Sequence, residues 1–382
     1  MEPQPFTIAV PDATLVDLRE RLARVRWPDA PPGGGWDFGS DVAYLRELVA
    51  YWRDEYDWRA HEASLNAFPN YTVPLAGIDI HFIHQPGVGP DPLPLLLSHG
   101  WPGSVWEFHK VIGPLTDPAS HGGDPADAFT VVAPSLPGYG FSFRPGQPRF
   151  GVPAIADAFA ALMTDVLGYR RFVAQGGDWG SMVSARLAQD FPERVAAIHL
   201  NFLALARDTG TPVPPSPEED QYQRDLAAWL REETAYQAIQ GTKPQTLAFG
   251  LTDSPVGLAA WLVEKFRTWS DCEGDLEAVF TKDELLTNIM IYWATGAIGS
   301  SFWPYYDRLH AGDPLPPGTR VEVPTAHLAF PREIVRPPRA RAERRFNIRR
   351  WTTHPRGGHF AALEQPEALV ADIRAFFRDY RG

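Results

Sequence analysis

The stretch that most constrains this chain is FVAQGGDWGSMVSARLAQDF, Phe172 to Phe191. An apolar run of strand character stops at paired glycines, and a helical pattern follows, expected to begin near Ser181. Gly176 and Gly180 flank Asp178 at the spacing small, any, nucleophile, any, small. Such spacing describes a sharp turn between a buried strand and a helix, with the central side chain raised at the helix N-terminus. Glycines permit the tight backbone there, and the helix dipole favours negative charge at that end. An Asp between glycines is more often an ordinary turn residue or N-cap. The strand–turn–helix context is what promotes Asp178 to a candidate nucleophile.

The surrounding pattern places this turn in an α/β domain. YTVPLAGIDIHFIHQ (Tyr71 to Gln85) alternates and turns at Ala76-Gly77, as a hairpin does. PLPLLLSHG (Pro92 to Gly100) is a short continuous apolar run, suited to a strand buried on both faces. FTVVAP and VAAIHLN read as further strands, with helical segments between them. Strands alternating with helices predict a mostly parallel central sheet with helices on both faces. From about Leu203 the strand signal vanishes, returning at RVEVPTAHLAF (Arg320 to Phe330) and FNIRRWTT (Phe346 to Thr353). The expected organisation is a helical N-terminal wrapping region over residues 1–70, a core over 71–202, a helical lid over 203–318 and the rest of the core over 319–382. A lid inserted there covers the carboxyl ends of the strands, where open α/β sheets bind ligands.

A carboxylate is charged at neutral pH and attacks without a general base. It suits displacement at an sp³ carbon carrying a leaving oxygen or halide, and leaves an ester on Asp178. Activated water can clear that ester, so a base, an orienting acid and an oxyanion hole are still needed. The base candidate is His359, in RGGHFAALEQPEAL after the last strand. The acid candidate is Glu333, in AFPREI after the preceding one. The order Asp178, Glu333, His359 is the nucleophile, acid, histidine order of the nucleophile-elbow enzymes. A lone loop Glu is otherwise usually solvated, and most of the 11 histidines read as surface or structural residues. The backbone N–H groups of Trp101, in SHGWPGS, and of Trp179 are the oxyanion candidates. His99 reads as structural. No HExxH pair, Cys/His cluster or GxxxxGK[ST] loop is present, so neither metal nor cofactor is expected.

HGWPGS, SLPGYGFS, GGDWGS, FPREI and RGGHFAALEQPE together resemble the microsomal-type epoxide hydrolases of the α/β-hydrolase superfamily. The likeness runs over nearly the whole chain, including the N-terminal region. It implies an α/β-hydrolase fold and conversion of an epoxide and water to a vicinal diol through the Asp178 ester. It also implies two lid tyrosines that donate to the epoxide oxygen. REETAYQAIQGTKP points to Tyr236, and GSSFWPYYDRL points to Tyr305, with Tyr306 adjacent as the alternative. Phe202, Phe302 and Trp303 are the candidate pocket aromatics, and the expected substrate is an aryl or bulky hydrophobic epoxide. The membrane-anchored members carry an N-terminal span absent here, so the chain looks like the soluble bacterial type. Relatives in actinobacterial natural-product pathways, enediynes among them, suggest antibiotic biosynthesis as a setting.

Two rivals share the fold. Haloalkane dehalogenases also use an Asp followed by Trp. In one group of them the acid follows the strand before the lid, where this chain has Asn201 in HLNF. A ligand-binding relative without catalysis is the other. The net charge of −12 argues against a nucleic-acid partner. The one basic run, Arg336 to Arg350, reads as a solvated surface segment. No apolar run approaches a membrane span, no signal peptide is visible, and the single Cys272 forbids an internal disulfide. A cytoplasmic protein is expected, with a small-molecule epoxide as partner and a homodimer left open.

Overall fold

A computed structural model describes residues 2–203, 205, 216–316 and 318–381. The stretch 206–215, at the start of the expected lid, lies outside the described residues. Among the described residues one nine-stranded sheet organises the chain, in the order β1-β2-β3-β5-β4-β6-β7-β8-β9. The first edge is antiparallel: β1 (Gln4–Pro5), β2 (Asn70–Leu75), β3 (Ile78–Gln85) and β5 (Phe129–Pro134) pair head to tail. The hairpin between β2 and β3 turns at Ala76 and Gly77, both with positive φ (54° and 84°), the two-residue turn whose twist matches its strands.

The rest is parallel. Strand β4 (Leu93–Ser98) lies between β5 and β6 (Phe172–Gly176), followed by β7 (Val195–Leu200), β8 (Val321–Ala329) and β9 (Phe346–Thr353). Leu95, Leu96, Leu97, Val173, Ala174 and Ile198 are fully buried, as befits central strands covered on both faces. Side chains on opposite faces belong to two separate apolar clusters, one containing Leu96 and Ala174, the other Leu95, Leu97 and Val173. This alternation follows from the period of two along a strand.

Between β7 and β8 the described chain is helical: Pro217–Glu232, Ala235–Thr242, Pro244–Asp253, Pro255–Trp269, Lys282–Thr295 and Trp303–His310. Among the described residues no single helix is long and apolar enough to cross a membrane. The N-terminal region grips these helices as well as the sheet. Helix Val42–Asp54 buries Leu45, Leu48, Val49 and Trp52, an i, i+3, i+4, i+7 stripe. This helix and its neighbours reach the lid through polar contacts: Arg21 to Asp253, Ser40 Oγ to the Ala260 carbonyl, Tyr51 to Asp283 and Tyr56 to Thr287. Helix-and-connector reading of residues 1–70 missed strand β1, since two residues leave no periodicity.

Two expectations need correction. The helix after the turn begins at Asp178, three residues before Ser181, because the glycine-bounded turn passes directly into helical hydrogen bonding. The run Arg336 to Arg350 is not simply a solvated segment. Arg341 is buried and makes a two-bonded pair with Glu219. Arg345 is buried and caps the carbonyls of Leu315 and Pro316. Arg350 bonds Asp372. Guanidinium forks find fixed acceptors that a pattern of charges does not reveal.

Candidate active site

The parallel strands end on one edge, and the candidate residues follow those ends. Asp178 comes after β6, the HGWPGS loop after β4, Glu333 after β8 and His359 after β9. Asp178 has φ +48°, an uncommon conformation for a residue with a side chain, costing about 1–3 kcal/mol. The turn holds because nothing larger than hydrogen fits around it. A Cβ on Gly176 would meet the Gly180 backbone, one on Gly180 the Ser98 carbonyl, and one on Gly100 the Asp178 carboxylate.

The carboxylate is held asymmetrically. Its Oδ1 accepts the backbone N–H of Trp101 at 2.7 Å. Its Oδ2 lies 3.5 Å from Nε2 of His359. The Trp179 amide, the other expected donor, is in the first turn of the helix, where N–H groups have no intrahelical acceptor. On its far side the imidazole meets Glu333, with Nδ1 2.6 Å from Oε1. That oxygen also accepts the Ile334 N–H at 2.7 Å. The His359 backbone N–H bonds the Trp269 carbonyl at 2.9 Å, and the ring sits edge-on to Trp269 and Phe202. Burial works to lower the His359 pKa, but the facing carboxylates of Glu333 and Asp178 outweigh it and hold the imidazole well above its ordinary value.

Tyr236 and Tyr305 lie across from the carboxylate on two short lid helices that pack together, their rings T-shaped at 5.7 Å. Tyr236 stacks on the Trp101 indole at 5.2 Å, and Tyr305 stands edge-on to Trp179 at 4.7 Å. Burial, with the Asp178 charge adding to it, raises the pKa of Tyr236 far above normal. Burial also raises Tyr305, with Tyr236 and Asp178 contributing. Both phenols therefore stay protonated and can donate. Tyr306 stacks instead on Trp303 and His310.

Asp178, Trp179, Phe202, Tyr236 and Tyr305 line a cavity of about 190 Å³, walled further by Met182, Trp229, Leu230, Ile334 and Val335, with Gln237 and Arg308 as its polar edge. Phe302 and Trp303 do not line it. Phe302 is fully buried against the Trp101 indole, and Trp303 stacks on Tyr306. Consecutive helical positions point in different directions, so of the aromatics Phe302, Trp303, Tyr305 and Tyr306, Tyr305 alone lines the cavity. Asn201 is buried and accepts from Gln175. It stands where a dehalogenase-type acid would, and its amide cannot supply the charge that Glu333 brings to His359. His99 is buried and accepts the Leu136 N–H, a structural bond.

Sequence reasoning passed over two polar groups here. Gln237 Nε2 donates to the Tyr236 hydroxyl at 2.9 Å. Glu107 borders Asp178 and His359 from behind, and desolvation pushes its carboxyl up to about 8, with His359 and Asp178 acting in opposite directions on it. Neither stands in a recognisable motif. Among the described residues no group of His, Cys, Asp and Glu is arranged to hold a metal ion.

The geometry has counterparts among known proteins. Residues 3–108 match the family described as epoxide hydrolase N terminus, and residues 94–265 match the alpha/beta hydrolase fold family. A relative from Stigmatella aurantiaca is 45% identical over 378 residues, covering 99% of this chain and 85% of that one. Epoxide hydrolase 1 of Oryctolagus cuniculus is 39% identical, over 98% of this chain and 88% of that one. Among solved structures, the Aspergillus niger epoxide hydrolase superposes with a TM-score of 0.87 at 30% identity, over 99% and 97% of the two chains. The juvenile hormone epoxide hydrolase of the silkworm Bombyx mori gives 0.87 at 32% identity, over 100% and 96%.

Proposed function

Because the chain belongs to the epoxide hydrolase family of the α/β-hydrolase superfamily, we propose that it opens hydrophobic epoxides to vicinal diols through an ester on Asp178. The observation that carries this reading is the Asp178 carboxylate itself. One oxygen is engaged by an amide, the other faces histidine, and two protonated phenols stand across the cavity.

Tyr236 and Tyr305 hold the epoxide oxygen and stabilise the alkoxide that develops as the ring opens. Oδ2, the oxygen outside the amide bond, attacks a ring carbon. The carbon–oxygen bond of the ring breaks, the oxygen stays on the substrate as an alkoxide and takes a proton from one of the two phenols, and that phenolate is reprotonated when the acid that water leaves on Asp178 ionises. Alkylation also removes one of the two negative charges facing His359. The imidazole loses part of what holds its proton, so the first step prepares the base for the second. His359, oriented by Glu333, then takes a proton from water. The oxygen adds to Cγ, the amide of Trp101 and that of Trp179 hold the oxyanion, and the diol departs with the proton from His359.

The cavity walls of Met182, Phe202, Trp229, Leu230, Ile334 and Val335 favour a substrate with an aryl or bulky alkyl group. Intact mass of a His359→Gln variant exposed to styrene oxide tests the reading. A gain equal to the whole epoxide, lost when Asp178 is also changed to Ala, is expected. No adduct with aryl epoxides, or an alkyl-only gain from haloalkanes, would overturn it.

A further inference from the structure

The substrate cavity is not the only space that touches Asp178. Behind the carboxylate is a second, small chamber of about 20 Å³, lined by Ser98, Gly100, Glu107, Gln175, Asn201 and His359 among others. Asp178 is the one residue common to both linings. The carboxylate is thus a partition, with the lid cavity in front and this chamber at its back. The volume suits one water. The polar atoms suit one as well: Ser98 Oγ, Gln175 Oε1 and His359 Nε2 have no protein hydrogen-bond partner, and a buried water typically uses two to four such groups.

Glu107 is the unexplained member of this lining. The loop is built around its side chain. A Cβ on Gly103 would overlap Glu107 Oε1, so glycine at 103 lets the carboxyl fold back under the HGWPGS turn. Gly100, which lines the same chamber, also acts on the carboxyl through its backbone. Glu107 is half-buried as a residue and lines the chamber. It pairs with no cation: among the described residues no ion pair includes it. The reaction as proposed gives it no part.

We propose that the water that cleaves the Asp178 ester is held in this rear chamber by Glu107 and His359, on the side of the carboxylate opposite the epoxide. Glu107 is a positioning residue for the hydrolytic step. Its neutral carboxyl donates to or accepts from the water, while His359 Nε2 takes the proton. The O–H bond breaks toward His359, the new bond forms to Cγ, and the Cγ–Oδ2 bond then breaks to release the diol. Glu107 gains and loses nothing. The arrangement lets water reach Cγ without passing a bulky alkyl group that fills the front cavity. It also keeps water away from the epoxide during the first step.

This inference rests on the epoxide hydrolase reading, and the test separates the two. Glu107→Met removes the hydrogen bonds at similar volume, and Glu107→Gln keeps a neutral donor and acceptor. Single-turnover mixing with styrene oxide, quenched and read by intact mass, follows ester formation and ester loss separately. For Glu107→Met, ester formation should stay within about threefold of the parent, while ester loss slows on the order of 100-fold, the scale of a misplaced reactant. KM and kcat should fall together as the ester accumulates. Glu107→Gln should restore most of the rate of ester loss. Unchanged ester loss in Glu107→Met overturns the proposal. Equal slowing of both steps also overturns it, because Glu107 would then only support the loop. Equal defects in Gln and Met variants overturn the role of its hydrogen bonds. Should Glu107→Met fail to fold, the Glu107→Gln variant decides alone: a loss of ester hydrolysis beyond about tenfold contradicts positioning by a neutral group. If even His359→Gln shows no adduct, the underlying reading fails instead.

Discussion

The two sides of the active site are held by different physics. The sheet side carries charge: Asp178, Glu333 and His359 sit at strand ends, fixed by backbone amides and short hydrogen bonds. The lid side carries neutral phenols, and Tyr236 and Tyr305 are fixed mainly by ring contacts with Trp101, Trp179 and each other. Charged groups at the end of a rigid sheet suit steps in which charge must be placed to a fraction of an ångström. Aromatic packing tolerates small shifts while keeping water out. On the proposed mechanism Asp178 takes part in both steps, the phenols act in ring opening and the Glu333–His359 pair in ester hydrolysis, so substitution of each should fail differently.

The largest effect is expected on the sheet side. Asp178→Ala should remove turnover by on the order of 10⁵-fold, with no adduct in mass spectra and little change in Tm. Glu333→Gln should leave ester formation intact but slow ester loss by roughly 10³- to 10⁴-fold, measured by rapid quench. If it slows ester formation equally, the division of labour between the two sides fails. On the lid side, Tyr236→Phe and Tyr305→Phe should each slow ester formation about 10²- to 10³-fold, with ester loss unchanged.

A thermodynamic test sharpens the same contrast. The folded-state pKa of His359 is raised, so its protonation stabilises the fold fully below its unfolded pKa. That contribution is lost as pH rises through the higher folded value. The Tm difference between the parent and His359→Gln should therefore be largest in mild acid and shrink toward alkaline pH. Corresponding Tyr305→Phe differences should be flat from pH 5 to 9, because that phenol is uncharged throughout. The smallest effect should come from Gln237→Leu, which removes one neutral hydrogen bond to Tyr236. A loss of about 0.5–1.5 kcal/mol predicts a roughly two- to tenfold slower ester formation.

Legibility in the sequence tracked how local each signal was. Asp178 announces itself because the glycines that allow its turn stand within two residues of it. Glu333 and His359 could be named from chain order after strands, although nothing local marks Glu333 as facing His359. Phe302, Trp303 and Tyr305 lie in one short stretch, yet only Tyr305 faces the cavity. Helical rotation decided that, and the lid's own docking set the rotation. The basic run at Arg336 to Arg350 misled because pairing partners such as Glu219 and Asp372 are distant in sequence.

The sequence by itself determined the strand–turn–helix frame, the parallel core and the order of the reacting groups. Those depend on glycine spacing, on apolar runs and on periodicity, all of which act within a few residues. Only the tertiary structure decided which aromatics line the cavity, which groups Gln237 and Glu107 adjoin, and that Asp178 lines two cavities. Those outcomes depend on how elements far apart in the chain pack against one another, and side-chain direction is fixed only when both partners are in place.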